Sequence, residues 1–397
     1  MNKYNLKSVS MTSRLGIKQG LINLAMVIAL LGILAPIQPA HAGEVGFAAP
    51  GGYGLKIYRV SSDLYPFVQV YFRTFDQQMQ PLVNLNYMNI GLMVKGKSYD
   101  PRKLQYSLQS IRQRQEATRT VFVLDASGSM RGEPFNAAIR AVGRFLDSKR
   151  PQDEVAVLAI RDTKDGYDIV SQFERDPRAL ANRLMDVKAD GQKTRLYDSI
   201  GAAMQMCGMT AQGSVSPEPS NYIVSCSIVV FSDGFDEGSA LTREELNARI
   251  TGLSIPIPIY SLAYAQKNVG NRYFKNLEAI SKNSFGVYYL LGDTVDRMQQ
   301  VVEGILNIIL SDYVATFRSY IDVDGGEHAF KLGVEYPSGS GKYTYENARF
   351  EAIEPPPVEA LKAITDDLSK NIPALPDGNP YFDKAAAAGG APEKGAP

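Results

Sequence analysis

Tryptophan is absent from this sequence, and histidine and cysteine occur only twice each in 397 residues. Each shortage excludes some chemistry. One histidine, His41, falls in an N-terminal stretch that reads as a leader, which leaves His328 alone. A single histidine argues against a Ser-His-Asp triad, and no H-E-x-x-H stretch is present for a zinc protease. Two cysteines build neither a zinc finger nor an iron–sulfur cluster. The 42 basic and 42 acidic residues cancel, so the basic excess that marks nucleic-acid binding is missing. At 45% hydrophobic the chain can bury real cores, and its length suits two or three domains.

Residues 1–42 read as a secretory signal peptide. Lys3, Lys7, Arg14 and Lys18 precede an apolar run at 21–35, and Ala40-His41-Ala42 forms a small-x-small cleavage pattern. The alternative is a retained membrane anchor, against which the prolines at 36 and 39 count. No cysteine follows the run to carry a lipid, and no later stretch approaches transmembrane length. The mature chain is then expected in the periplasm, secreted, or at the cell surface. It would hold 38 basic against 42 acidic residues, a net charge of −4.

Hydrophobic patterning divides the rest. Residues 43–117 are β-like, as in the aromatic, β-branched stretch 65–73 and the strand candidate 90–94. From 118 to 312 short, wholly apolar runs (121–124, 155–160, 228–231 and the proline-interrupted 255–259) alternate with helical patterns at 134–148, 178–187, 197–207, 242–252, 272–282 and 293–312. Such runs suit strands buried on both faces, so the expected fold class is α/β, an open doubly wound domain. Pro256 and Pro258 suggest an edge strand or a strand start. β patterns return at 313–353, broken by Asp324-Gly325-Gly326 and Ser338-Gly339-Ser340-Gly341. About 40 residues rarely support a core unaided, so we expect both flanks to form one β-sandwich with the α/β domain inserted. The alternative is two small β pieces packed on that domain. Residues 354–397 carry a weak helix near 358–370 and a Pro/Ala/Gly-rich end expected to be largely disordered.

The run 121–124 ends in Asp125-Ala126-Ser127-Gly128-Ser129 and the run 228–231 in Ser232-Asp233-Gly234, and between them Asp190-Gly191-Gln192-Lys193-Thr194 opens the helical stretch Arg195-Leu196-Tyr197-Asp198. Ligands of open α/β sheets gather at the carboxyl ends of the strands. Two carboxylates and three hydroxyls, with no histidine or cysteine, suit a hard cation: Mg²⁺, Ca²⁺ or Mn²⁺. Taken singly, each residue could equally be a helix or turn cap without metal.

In order and spacing the three segments resemble the metal-ion-dependent adhesion site of the von Willebrand factor A (vWA) family, a Rossmann-like fold, over about 118–312. The resemblance implies a metal site at Asp125, Ser127, Ser129, Thr194 and Asp233. Ser127, Ser129 and Thr194 would be direct ligands, with Asp125 and Asp233 acting mostly through water. It implies a non-enzymatic, Mg²⁺-dependent adhesion module whose metal accepts an Asp or Glu carboxylate from a protein partner. It also implies coupling of occupancy to a shift of helix 293–312. The alternative is a scaffold or assembly factor of an envelope secretion, pilus or surface system. A metal-dependent hydrolase ranks last, since no histidine lies between 42 and 327 to act as general base.

Cys207 and Cys226 flank a Gly/Pro/Ser-rich loop and are expected to pair in an oxidising compartment, two buried free thiols being the alternative. Asp322-Val323-Asp324-Gly325-Gly326 fails the EF-hand pattern, with Gly333 where its glutamate belongs, and reads as a hairpin turn. The run 339–342 fails the P-loop pattern. His328 reads as a surface or strand-edge residue, and the basic run 102–119 as a solvated linker face.

Overall fold

A computed structural model describes residues 52–78, 80–208, 223–253, 255–264, 273–292, 294–355, 357 and 359–375. The expected signal peptide at 1–42, most of the segment between Cys207 and Cys226 and the C-terminal end lie outside the described residues. Among the described residues no helix is long and apolar enough to cross a membrane.

Five strands come first: β1 (Tyr53–Leu64), β2 (Phe67–Asp76), β3 (Ile90–Val94), β4 (Lys97–Tyr99) and β5 (Tyr106–Ser110). The α/β portion follows as β6 (Ala117–Asp125), α1 (Glu133–Ser148), β7 (Glu154–Ile160), β8 (Tyr167–Glu174), α2 (Pro177–Met185), α3 (Leu196–Gly208), β9 (Ile223–Ser232), α4 (Arg243–Thr251), β10 (Ile259–Tyr264), α5 (Phe274–Asn283), β11 (Tyr288–Gly292) and α6 (Met298–Ile309). The chain closes with β12 (Tyr313–Arg318), β13 (Glu327–Val334), β14 (Thr344–Glu351) and α7 (Glu359–Asn371).

The central sheet has the order β11-β10-β9-β6-β7-β8 and is parallel except for the edge strand β8. Side chains of a strand alternate between faces. Phe122 and Leu124 therefore join one core, with α1 and α6, while Val121 and Val123 join the other, with α3, α4 and α5. Each such side chain, fully buried, contributes about 1.5–3 kcal/mol. The chain leaves β6 for β7 on one side and returns as β9 on the other. The carboxyl ends of β6 and β9 thus lie side by side where the topology reverses, the position of ligand sites in such sheets.

The flanks form two antiparallel four-stranded sheets, β1-β2-β12-β5 and β14-β13-β3-β4. Each mixes strands from before and after the α/β portion. Val68, Val70, Phe72, Leu92, Phe317 and Leu332 belong to one apolar core that both sheets share. β2 is buried on both faces: Tyr71 packs in the α/β core and Phe67 against Leu361 and Ile372 around α7.

Several sequence expectations are corrected. Residues 255–258 precede the strand rather than forming it. The carbonyl of Pro258 accepts from Ile228 N–H at 2.9 Å, so proline serves where only an acceptor is needed. The helix expected at 293–312 begins only at Met298; Val295 extends the apolar periodicity while its carbonyl closes the preceding turn onto Met298 N–H. β8 was not anticipated, because an edge strand with exposed Ile169 lacks a continuous apolar run. The 102–119 run is no free linker: it supplies β5 and the start of β6, and Arg114 grips Glu116. His328 is buried on β13 against Phe350, its Nε2 3.0 Å from Asp324.

Candidate metal centre

The buried run of β6 ends at Asp125, which is 1% exposed. One Asp125 oxygen accepts from Ser127 N–H at 3.0 Å and the other from Ser232 Oγ at 2.8 Å. The carboxylate therefore ties the β6 loop to the end of β9. Burial and the neighbouring Asp233 carboxylate push Asp125 up to about 6, against the pull of these hydrogen bonds.

The loop past Asp125 presents two hydroxyls, Ser127 Oγ and Ser129 Oγ, 2.9 Å apart. The segment at 190–194 is docked onto this loop. Gly128 N–H donates to Gly191 O at 2.8 Å, and Gly191 N–H to Ala126 O at 3.1 Å. A Cβ on Gly191 would meet Ala126 O at 3.3 Å, so the close approach favours glycine. Thr194 is held from the other side, its carbonyl accepting from Glu237 N–H at 2.6 Å. After β9, Gly234 turns the chain with φ +79°, where a Cβ would lie 2.6 Å from Tyr273 O. This turn sets Asp233, whose Oδ1 accepts from Phe235 N–H at 2.9 Å.

Ser127, Ser129, Thr194 and Asp233 line one open cleft of about 650 Å³, with Asp125 directly beneath Ser127. All five sequence-derived positions therefore come together. The donors are all oxygen, two carboxylates and three hydroxyls, which fits Mg²⁺ or a similar hard cation. Both Asp125 oxygens are engaged by protein donors, which suits support through water rather than direct ligation. A cation between Asp125 and Asp233 would relieve their mutual repulsion. Among the described residues no group of three or more His, Cys, Asp or Glu forms an alternative metal cluster.

Some supporting residues escaped the sequence reading. Asp162 accepts from the N–H groups of Gln192 (2.5 Å) and Lys193 (2.8 Å), holding the 190–194 segment. Asp236 accepts from Tyr197 N–H at the start of α3, and Asp198 accepts from Ala240 and Leu241 N–H, both at 2.9 Å. Their signal in sequence is only an Asp near a turn, too common to single out. Cys207 and Cys226, at the end of α3 and within β9, form a disulfide with Cα atoms 5.6 Å apart.

Residues 120–235 match the von Willebrand factor type A domain family, so the chain contains a vWA domain. Among solved structures the chain is similar to the SpRpn10 VWA domain, at 14% identity, covering 47% of this chain and 94% of that one, with a TM-score of 0.35. It is also similar to the vWF domain of the type V pili tip protein Mfa5 from Porphyromonas gingivalis, at 12% identity, 49% and 95% coverage and a TM-score of 0.34. Three N-terminal domains of that pilus protein align over 77% of each chain at 12% identity, with a TM-score of 0.28. No curated protein matches the chain.

Proposed function

We propose that this protein is an exported, metal-dependent protein-binding module. Mg²⁺ is held by Ser127, Ser129 and Thr194, with Asp125 and Asp233 acting through water, and an acidic residue of a protein partner completes its coordination. We read the two flanking sheets as one β-sandwich that carries the vWA domain as an insert. The observation that carries this reading is the convergence of the β6 loop, the 190–194 segment and the β9 end on one cleft lined by oxygen donors. Neutral hydroxyls as direct ligands leave the cation's charge under-neutralised, which favours a further anionic ligand. The Cys207–Cys226 disulfide supports an oxidising compartment. When bound, the cation supplies a positive centre for the partner's carboxylate. The chain's own residues orient the donors, with Asp125 at the end of β6 and Asp233 just past the end of β9.

A thermal or urea melt of the full chain tests this directly. A cation that binds only the folded state at about 100 times its Kd adds about 2.7 kcal/mol. Mg²⁺ is expected to raise stability by that order, EDTA to remove the gain, and Asp233→Ala to abolish it. A melt unchanged by Mg²⁺, Ca²⁺ and Mn²⁺ refutes the metal site. A pull-down from envelope extract with and without EDTA then addresses the partner. Prey retained equally by wild type and Asp233→Ala in all lanes contradicts adhesion through the metal.

A further inference from the structure

Glu237 lines the metal cleft together with Ser127, Ser129, Thr194 and Asp233, yet it belongs to none of the three sequence segments that marked the site. Its backbone is pinned on both sides. The Glu237 N–H donates to Thr194 O at 2.6 Å, so the residue stands against one of the candidate ligands. Before it, Asp236 accepts from Tyr197 N–H at 3.0 Å and from Ser239 Oγ at 2.6 Å. After it, Gly238 turns the chain with φ +85°. The side chain itself is exposed and forms no ion pair or hydrogen bond among the described residues.

The other charges around the cleft are engaged. Asp190 is bridged by Arg161 at 2.9 Å. Both oxygens of Asp125 accept protein donors, and Asp233 Oδ1 accepts Phe235 N–H. Arg131 is the cation lining the cleft, and its Nε donates to Ala189 O at 3.2 Å. With Asp190 and Arg161 cancelling, Asp125, Asp233 and Glu237 stand against Arg131, an excess of two negative charges. That excess matches a dication. Without Glu237 it falls to one.

We propose that Glu237 sets how tightly this centre holds its cation. Its carboxylate acts through space, from outside the set of direct ligands, and it opposes any carboxylate that the partner brings. The proposal rests on the reading that the cleft binds a divalent cation, and it adds a trade between holding the metal and accepting the acid. Clefts lined by charge of one sign concentrate the counter-ion, and the count of anionic groups tunes cation affinity. A negative charge attracts a dication and repels a monoanion, with twice the energy for the dication at equal distance. Loss of the charge therefore weakens metal binding and strengthens acid binding, whereas damage to the fold weakens both.

The test titrates Mg²⁺ calorimetrically into the full chain after EDTA treatment and removal of the chelator. Wild type is compared with Glu237→Gln, Glu237→Asp and a control, Glu327→Gln, which changes an exposed acid on β13. In water one charge about 8 Å from a dication changes its affinity about fivefold. Glu237→Gln is expected to weaken Mg²⁺ by about that factor, Glu237→Asp to retain most of the affinity, and Glu327→Gln to change nothing. The loss should shrink as salt rises. Urea melts in EDTA should coincide for wild type and Glu237→Gln, because the side chain is exposed and unbonded. In saturating Mg²⁺ an acetylated eight-residue Gly/Ser peptide with one Asp is expected to bind Glu237→Gln about twofold tighter than wild type. The proposal is overturned if Glu237→Gln binds Mg²⁺ as tightly as wild type, if the loss is the same at low and high salt, if the EDTA melts diverge, or if peptide binding weakens along with metal binding. A wild type that binds no Mg²⁺, Ca²⁺ or Mn²⁺ instead sinks the metal reading, and a loaded wild type that binds no peptide sinks the reading that the metal accepts an acid. These failures are read from separate titrations.

Discussion

The Arg73–Asp312 pair offers the sharpest energetic prediction. Arg73 projects from β2, and Asp312 sits between the end of α6 and the start of β12. Nε and one terminal nitrogen of the guanidinium each lie 2.8 Å from a carboxylate oxygen. Asp312 is 1% exposed and Arg73 9%. Burial pushes the Asp312 carboxyl up, with Arg73 pulling the other way. Burial pushes Arg73 down, but Asp312 outweighs it and holds the guanidinium charged. Arg73 also donates to the Phe285 carbonyl at 3.4 Å, and the hydroxyls of Tyr58 and Tyr260 are buried beside the pair. At this separation and an effective dielectric of about 20 the attraction is about 6 kcal/mol. The desolvation of each ion costs several kcal/mol, so the pair as a whole is close to neutral against an apolar replacement. Removing one partner leaves the other's desolvation uncompensated. Asp312→Asn, which keeps the side chain's shape, is therefore expected to cost about 3–5 kcal/mol. With a urea m-value of about 3 kcal/mol/M the midpoint falls by about 1–1.7 M. The double variant Arg73→Met/Asp312→Leu is expected to recover most of that loss. A loss below about 1 kcal/mol in the single variant, or a double variant no more stable than the single, would refute the reasoning.

Other outcomes follow from local structure. Breaking the Cys207–Cys226 bridge with Cys226→Ser frees a loop of about 20 residues and is expected to cost about 3 kcal/mol in the chain-entropy picture. Urea melts of the variant and of oxidised wild type check this, and coincident curves contradict it. Glu335 reports on acid stability. Burial pushes its carboxyl up, but hydrogen bonds from Ser340 and from the N–H groups of Gly339, Gly341 and Lys342 outweigh this and hold it at about 2, below its ordinary 4.5. A depressed value means that its stabilisation is complete above about 4.5 and is lost as pH falls through about 2. Glu335→Gln should therefore be less stable than wild type at neutral pH, and the two stability curves should converge between pH 4.5 and 2. Parallel curves through that window would show that the loop 339–342 does not depend on the charge.

The sequence by itself determined the α/β class and singled out five candidate site positions. The apolar runs at 121–124 and 228–231 are buried on both faces, which requires helices on both sides, and that demand is written in composition alone. Asp125, Ser127, Ser129 and Asp233 stood out as candidates because they end such runs, and Thr194 because it opens the helix between them in an arrangement resembling one family. Tertiary structure decided what depends on pairing between distant segments. The interleaving of β12 between β2 and β5, and of β3 beside β13, rests on contacts over two hundred residues apart. The Arg73–Asp312 pair and the support of Asp162 for the 190–194 segment are of the same kind. A lone Arg or Asp carries no signal of its partner until the chain is folded, because ion pairing depends on distance and burial, and neither is local in sequence.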